Sequence, residues 1–379
     1  MEQFKTITPV HIATGNIIEI PSYHEINDTQ VARYSFTDIL SQMPANVLTN
    51  PSFLNELSRT NSSKKTLYKN IRNYVDYRKL NSLYTLDYTY NESLDDAGND
   101  VSEQVNDLHH PYIPGSSIKG TLLNSWKYYL LKLNYEKVTK NLPVLFGNRF
   151  KEFDIYQLMS GKSLSKEDRD IFKDLYGCLQ CQDIYFNKME LFFAGREGSG
   201  KNMDGEMIPI PYKECISPNQ KTTGSLFVID EFKLKLLKEK YKNSPVKYFI
   251  EMFTREKILR ACNVFTKDIL EVEQDSTYYA FYESFVGINE QIKQIEKELK
   301  KENTIVLRVG NSTNYFAKSV SYLVKKNSPE IFKKYFMDQF APINKGKTIP
   351  DDKTIPKTRV IYSNGEKDYL PGFIKVIYD

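Results

Sequence analysis

The chain has 379 residues, of which 40% are hydrophobic and 26% are charged, and this composition excludes a disordered or fibrous protein. The formal net charge of +4 is too small for a nonspecific polycation, so a nucleic-acid-binding surface would require local clustering of basic residues. Four cysteines are too few for a disulfide framework, and the sequence contains neither a signal-peptide segment nor an apolar run near 18 residues. We therefore expect a cytoplasmic protein with no membrane association.

The N-terminal third predicts short strands and short helices. Residues 4–20 predict two β segments joined by a turn near Gly15. Short helices are predicted within 52–60 and 70–78 of a polar region that extends over residues 36–107.

The stretch HHPYIPGSSIKGTLLNSW, residues 109–126, predicts a loop that leads into a helix. Ser116 or Ser117 is the expected N-cap. After Ser117 the apolar residues recur at helical spacing, and these are Ile118, Leu122, Trp126 and Tyr129.

The second half of the chain alternates strands and helices. The patterns predict a helix near 165–175, helices over 246–302, and a helix from about Tyr315. Strands are predicted at 183–194, 224–233, 304–310, 358–363 and 372–379. A strand, a polar loop and a lysine-bearing helix follow one another at 112–130 and again at 305–325, which suggests two related α+β domains.

Gly115, Ser116, Ser117 and Lys119 form a candidate anion site at the predicted helix start. A helix N-terminus presents unpaired N–H groups and partial positive charge, hydroxyl groups donate hydrogen bonds, and a lysine adds a full charge. This combination suits a phosphate. The alternative is an ordinary capped helix in which Lys119 is solvated.

Four histidines provide a different candidate chemistry, because histidine can act as a general acid or base near neutral pH. His109 and His110 adjoin the candidate phosphate site, and the other two are His11, within the first predicted β segment, and His24. The alternative for each is a loop or surface histidine.

Two further patterns are incomplete. Cys178 and Cys181 form a lone CxxC that would need two distant ligands to hold zinc, so we interpret them as small apolar residues and predict no metal or cofactor. GREGSGKN at 195–202 nearly matches a nucleotide-binding loop, but it lacks the final Ser or Thr and is followed by prolines instead of a helix. We predict a flexible basic loop that could still contact RNA.

A second basic cluster lies near the C-terminus. The loop LRVGNSTNYFAKS carries Arg308, Gly310, Asn311, Ser312, Asn314 and Lys318, and PKTR adds Lys357 and Arg359. Basic side chains beside a polar backbone turn again suit phosphate.

Three segments together resemble the RAMP proteins of CRISPR systems. They are FKTITPVHIATGN at 4–16, HPYIPGSSIKGTLLNSW at 110–126, and the basic C-terminal loop with PKTR. Their order and the chain length are most similar to the fifth-subunit family of the type III-A Csm effector complex. Ala13 departs from a frequent glycine, and Asn311 and Asn314 stand where relatives often carry another glycine.

The resemblance implies an α+β fold of two RRM-like (ferredoxin-like) domains with helical insertions, divided into residues 1–235 and 236–379. It implies a non-catalytic subunit that binds the guide RNA (crRNA), caps the backbone filament at the crRNA 3′ end and supports crRNA maturation in antiviral defence. The implied partners are crRNA, a neighbouring RAMP backbone subunit, other Csm subunits and host maturation nucleases. Together with the residue chemistry it predicts RNA contacts at Gly115, Ser116, Ser117, Lys119, His11, Arg308, Asn311, Lys318, Lys357 and Arg359.

Two other functions are compatible with the sequence. One is a metal-independent endoribonuclease that processes the guide RNA with His109, His110 or His11 as general acid or base. The other is a scaffold that docks processing nucleases and barely contacts RNA.

Overall fold

The structure is a computed structural model. It describes residues 1–58, 64–89, 94, 100–108, 110–141, 154–198, 208–275, 282–313, 316–319, 321–336 and 358–378. The predictions that concern His109, Asn314, Lys357 and residues 199–202 lie outside the described residues. The fold is mixed α+β, which confirms the predicted class.

The strands of the described residues are β1 (Glu2–Thr6), β2 (Ala13–Ile18), β3 (Tyr23–Asn27), β4 (Gln30–Arg33), β5 (Tyr84–Asp87), β6 (Val101–Gln104), β7 (Tyr112–Ile113), β8 (Leu179–Gln180), β9 (Ile184–Tyr185), β10 (Met189–Gly198), β11 (Ile208–Ile216), β12 (Lys221–Gly224), β13 (Val228–Ile229), β14 (Thr304–Arg308), β15 (Thr358–Ser363), β16 (Asp368–Tyr369) and β17 (Phe373–Ile377).

The α-helices of the same residues are α1 (Phe36–Ser41), α2 (Ala45–Leu48), α3 (Pro51–Ser58), α4 (Lys65–Arg72), α5 (Gly115–Leu133), α6 (Tyr135–Asn141), α7 (Asp154–Ser160), α8 (Ile171–Cys178), α9 (Glu231–Lys240), α10 (Lys247–Glu251), α11 (Arg255–Glu273), α12 (Tyr282–Leu299), α13 (Ser321–Asn327) and α14 (Pro329–Phe336). Short 3₁₀ helices cover Ile20–Ser22, Tyr77–Lys79 and Phe316–Lys318.

A four-stranded antiparallel sheet joins the beginning and the end of the chain. Its order is β12-β1-β17-β14, so the first strand lies between β12 and β17. The predicted boundary between residues 235 and 236 stays a prediction, because strands from both sides of it share this sheet. The division into two RRM-like domains also stays a prediction, because the sheet order does not show it.

A larger sheet has the order β2-β6-β11-β10-β5-β4-β3, and β15 and β16 extend it from β10. Strand β10 is antiparallel to β11 and β15 and parallel to β5. The helices α1 to α4 cover part of this sheet through an apolar cluster that includes Ile39, Leu67, Ile71, Leu86 and Leu191.

Gly15 does not form the predicted turn between two strands. Gly15 has a φ of +97° and lies inside β2, where the pairing with β6 shifts register between Ala13 and Ile17. The left-handed backbone makes a bulge in one strand instead of a connection between two. The two predicted β segments exist, but β1 and β2 belong to different sheets.

Helix α5 occupies the centre of the main core. The predicted apolar residues Ile118, Leu122, Trp126 and Tyr129 are all buried, which confirms the predicted stripe. Trp126 donates its indole N–H to the carbonyl of Met252 at 2.9 Å. Helix α11 packs along α5, so the predicted site at the start of α5 rests on a rigid pair of helices.

One predicted strand was too long. Gly224 is the last residue of β12, Val228–Ile229 forms β13, and α9 already begins at Glu231. The carboxylate of Asp230 caps this helix by accepting a hydrogen bond from the backbone N–H of Lys233 at 2.9 Å. The predicted helix near 165–175 also begins later, at Ile171.

Candidate nucleic-acid interface

The start of α5 is packed against the chain itself. The helix begins at Gly115 with Pro114 in the N-cap position, so the expected cap by Ser116 or Ser117 is wrong. The Gly115 N–H donates to Oδ1 of Asp183 at 2.7 Å. A Cβ added at Gly115 would lie 2.3 Å from the carbonyl oxygen of Cys181. The glycine therefore permits close approach of the protein's own loop, and an internal carboxylate already satisfies this N–H.

The other three residues of the candidate anion site do not lie on one common surface. Ser117 faces a surface cleft, whereas Ser116 is exposed and Lys119 is half-buried, and neither lines that cleft. Lys119 lies close enough to Cys181 to affect its thiol electrostatically: burial raises the pKa of Cys181 to about 12, and the lysine charge opposes that change.

The cleft, with a volume of about 410 Å³, lies where three distant parts of the sequence meet. It is bordered by the chain after His11, by one face of α5, and by the loop that follows β14. None of its described lining residues is a carboxylate. They are Ile12, Ala13, Ser117, Gly120, Thr121, Asn124, Arg308, Gly310, Asn311, Thr313, Ala317 and Lys318.

The loop after β14 is held against the N-terminal segment by main-chain contacts. The Asn311 N–H donates to the carbonyl of His11 at 2.8 Å. Gly310 has a φ of +99°, and a Cβ at this position would lie 2.5 Å from the same carbonyl oxygen. Only glycine fits both the backbone conformation and the contact, so the loop's path depends on Gly310.

Arg308 and Arg359 are held in the interior by one carboxylate. Glu273 at the end of α11 accepts from Nη1 of Arg308 at 2.6 Å and from Nε of Arg359 at 2.7 Å. Although burial alone would raise the pKa of Glu273, the guanidinium groups of Arg359 and Arg308 hold it below its ordinary value. Arg359 is only 1% exposed, which corrects the prediction that it contacts RNA directly. Arg308 borders the cleft, but its charge is largely shared with Glu273.

Lys318 supplies a second positive charge at the cleft. It lies in the 3₁₀ helix after the Gly310 loop. Partial burial of its ammonium group and the nearby charge of Arg308 both lower the pKa of Lys318 from its ordinary value. Two positive charges that repel each other beside hydroxyl and amide donors create a local site that favours an anion.

His11 is a structural residue. It is fully buried, its Nδ1 lies 2.7 Å from the carbonyl oxygen of Glu214, and its Nε2 lies 3.0 Å from Oγ of Ser102. Nδ1 must carry the proton, since a carbonyl can only accept, and Nε2 then accepts from the Ser102 hydroxyl. Burial and, to a smaller extent, the charge of Lys213 lower the pKa of His11 to about 4, so the ring is neutral at physiological pH. The side chain can neither contact RNA nor exchange protons with a substrate, which corrects both predictions for it.

The other predicted groups lie apart from the cleft. His110 is exposed on the turn before β7, and its backbone N–H donates to Oδ1 of Asp107. His24 stacks on Tyr77 with 4.1 Å between ring centroids. Cys178 is buried, Cys181 is half-buried, and both are free thiols. No group of three or more histidine, cysteine or acidic side chains comes together as a metal site within the described ranges.

Sequence reasoning missed Thr121 and Asn124, which form the α5 wall of the cleft together with Ser117. The Nδ2 atom of Asn124 is buried and has no hydrogen-bond partner within the described part of the chain. The spacing of residues 117, 121 and 124 places small and polar side chains along one helix face, and this pattern could have identified them. No described helix is long and apolar enough to cross a membrane.

Two solved structures resemble the chain along its length. The first is a chain of the cryo-EM structure of a Csm–crRNA–target RNA ternary complex from a type III-A CRISPR-Cas system. The TM-score is 0.62 at 17% sequence identity, and the match covers 99% of this chain and 100% of that one. The second is the crystal structure of T. onnurineus Csm5, with a TM-score of 0.58, 15% identity and full coverage of both chains. No curated protein sequence matches.

The family comparison agrees with the motifs and with the fold. The model that describes the RAMP superfamily matches residues 3–317, a span that includes the N-terminal segment, α5 and the Gly310 loop. These are the three parts of the chain that meet at the cleft, and the match includes all of the lining residues named above except Lys318. The chain belongs to the RAMP superfamily.

Proposed function

We propose that the chain is a non-catalytic, crRNA-binding subunit of a type III-A CRISPR (Csm) effector complex. In this function it caps the backbone filament at the crRNA 3′ end, packs against a neighbouring RAMP subunit and other Csm subunits, and supports crRNA maturation by host nucleases in antiviral defence. The observation that carries the proposal is the cleft. It joins the α5 face and the Gly310 loop, and its described lining contains cations and donors but no carboxylate. The full-length likeness to a chain of a Csm–crRNA–target RNA complex supports the choice of complex.

The RNA backbone fits this cleft better than base edges do. Ser117 and Thr121 provide hydroxyl groups, Asn124 provides an amide group, and Lys318 provides charge. Such groups contact phosphate and sugar oxygens without reading sequence. A subunit that holds many different guides requires this kind of recognition. The predicted contact at Lys119 becomes a second, peripheral contact, because this residue does not line the cleft.

The enzyme alternative receives no support from the site. His11 is sealed in the interior, and neither His24 nor His110 lines the cleft. The described lining offers no general acid or base that titrates near neutral pH.

The test is a comparison of Lys318→Ala with Lys166→Ala, an exposed lysine that does not line the cleft. We expect Lys318→Ala to weaken binding of a crRNA 3′ fragment several-fold and to reduce the slope of log Kd against log salt by about 0.7, the value for one phosphate contact on a single strand. Fluorescence anisotropy across a salt series measures both quantities. Lys166→Ala should match the native chain. If the two variants bind with equal affinities and salt slopes, the cleft is not the RNA-binding site. If the native chain binds 5′ and 3′ fragments of crRNA equally well, the proposed position at the 3′ end is wrong.

A further inference from the structure

Helix α9 exposes apolar side chains to solvent. Phe232 is 72% exposed and Leu236 is 54% exposed, and residues four apart are neighbours on one helix face. Val228, in the strand that leads into α9, is 56% exposed. A single exposed apolar residue is ordinary, but neighbouring ones on one helical turn form a continuous apolar surface of the kind that marks an interaction site.

The orientation of α9 is fixed by its opposite face. Leu234 and Tyr241 are buried, and the Tyr241 hydroxyl donates to Oδ2 of Asp174 at 2.9 Å. Lys240 pairs with the same carboxylate at 2.8 Å. Phe232 and Leu236 therefore face outward because the helix is anchored on its other side.

The apolar surface lies within a strongly basic segment. Residues 231–242 contain five lysines and two glutamates, a formal net charge of +3 in a chain whose total is +4. Lys235, which adjoins Leu236 in sequence and lies one turn from Phe232, has no ion pair with a carboxylate in the described residues, whereas Lys233 pairs with Asp230. The border of the surface thus has free positive charge.

We propose that this α9 surface, formed by Phe232 and Leu236 with Lys235 at its border, binds an acidic segment with apolar side chains on a neighbouring protein subunit. Charge complementarity favours a partner in which carboxylates border an apolar contact. A second copy of the chain fits poorly, since a symmetric contact would bring lysines against lysines. Phe232 beside lysines offers one face on which a base could stack, but the aliphatic Leu236 and Val228 on the same surface favour contact with apolar protein side chains. The choice of subunit rests on the proposed membership of a Csm complex, but the surface is separate from the RNA cleft.

The test uses the full chain, crRNA and the other protein subunits of the type III-A complex from the same genome. The variants are Phe232→Ser/Leu236→Ser and Lys235→Glu, and the matched control is Leu54→Ser, which removes a 49% exposed leucine from α3. Incorporation into the complex is measured by native mass spectrometry over a concentration series. Binding of each variant alone to crRNA and its sedimentation are measured in parallel.

We expect the double variant to lower the incorporation affinity by about tenfold or more, as loss of an interface hot spot does, and Lys235→Glu to lower it less. Leu54→Ser should join the complex normally, and none of the three should change crRNA binding. Normal incorporation of the double variant would overturn the inference alone. Loss of crRNA affinity in the double variant would assign the surface to RNA, and loss of a native self-association would assign it to a second copy. Failure of the native chain to join the complex would overturn the proposed function and this inference together.

Discussion

A neutral histidine in the interior determines where the cleft loop lies. The ring of His11 is fixed by Glu214 and Ser102, and its carbonyl receives the N–H of Asn311. A buried residue that does not line the cleft can therefore position the loop that does, through one main-chain hydrogen bond.

His11→Asn is expected to lower the free energy of unfolding at pH 7.5 by about 1–3 kcal/mol, because asparagine can replace only one of the two side-chain hydrogen bonds. In the native chain the pKa of His11 is about 4, whereas an unfolded histidine has a pKa of about 6.5. Between these values the unfolded chain binds more protons at this residue, so the contribution of His11 to the free energy of unfolding falls as the pH decreases from about 6.5 to about 4. The variant should lack this pH-dependent contribution. The difference in free energy of unfolding between the native chain and the variant should therefore be smaller at pH 5 than at pH 7.5.

Denaturant unfolding at several pH values measures this effect. His110→Asn, which changes an exposed turn residue, serves as the control and should leave the profile unchanged. If the difference in unfolding free energy between the native chain and His11→Asn is the same at pH 6.5 and pH 5, the assignment is contradicted.

The individual residues show how far sequence alone could reach. Ser117, Arg308, Asn311 and Lys318 were predicted as site residues and lie together at the cleft, because polar loops at element ends tend to be exposed. His11 and Arg359 belong to the same motifs but face inward. Residue type does not reveal burial when a polar group has a buried partner, here Glu214 for the histidine and Glu273 for the arginine.

At the scale of elements, α5 begins with a glycine where most helices would be more stable with alanine. The close contact between Gly115 and the Cys181 carbonyl reverses that preference. Gly120, five residues later in the same helix, has no atom within 4 Å of an added Cβ.

Gly115→Ala is therefore expected to destabilise the chain by about 1–3 kcal/mol, since the loop that carries Cys181 and Asp183 must move. Gly120→Ala is expected to stabilise it by about 0.5–1 kcal/mol through helix propensity. Thermal unfolding of both variants measures the difference. If both substitutions shift the melting temperature in the same direction, the contact does not determine the helix start.

The elements also differ in how well their periodicity predicts them. The 3.6-residue pattern in α5 was sufficient because one continuous face of the helix is buried. The pattern at 224–233 was misleading, because an apolar strand of two residues runs directly into an apolar helix and the two periods overlap over so short a length. Sheet order was not predictable, since it depends on contacts between β1 and β17 at opposite ends of the chain.

At the scale of the whole molecule, one buried carboxylate holds three elements together. Glu273 at the end of α11 binds Arg308 of β14 and Arg359 of β15, and these strands belong to different sheets. Glu298, near the end of α12, also contacts two cations, Lys301 and Lys375, but these pairs are more exposed.

Glu273→Gln is expected to lower the free energy of unfolding by about 3–5 kcal/mol, because two buried guanidinium groups lose the carboxylate charge that they share. Glu298→Gln should cost less than about 1 kcal/mol, as is usual for partly solvated ion pairs. Chemical denaturation of both variants at pH 7 measures the contrast. Similar small losses in the two variants would show that Glu273 does not link the two sheets energetically.

The position of β17 between β1 and β14 has a consequence for synthesis in the cell. A ribosome must release residues 373–377 before the central ladder can close, so one side of β1 stays unpaired until the whole stretch between β1 and β17 has been made. A product that stops early leaves two open strand edges and lacks Gly372, whose carbonyl accepts the N–H of Val309 just before the cleft loop. We therefore expect a copy that lacks residues 372–377 to lose the main-chain contact that holds the start of the cleft loop.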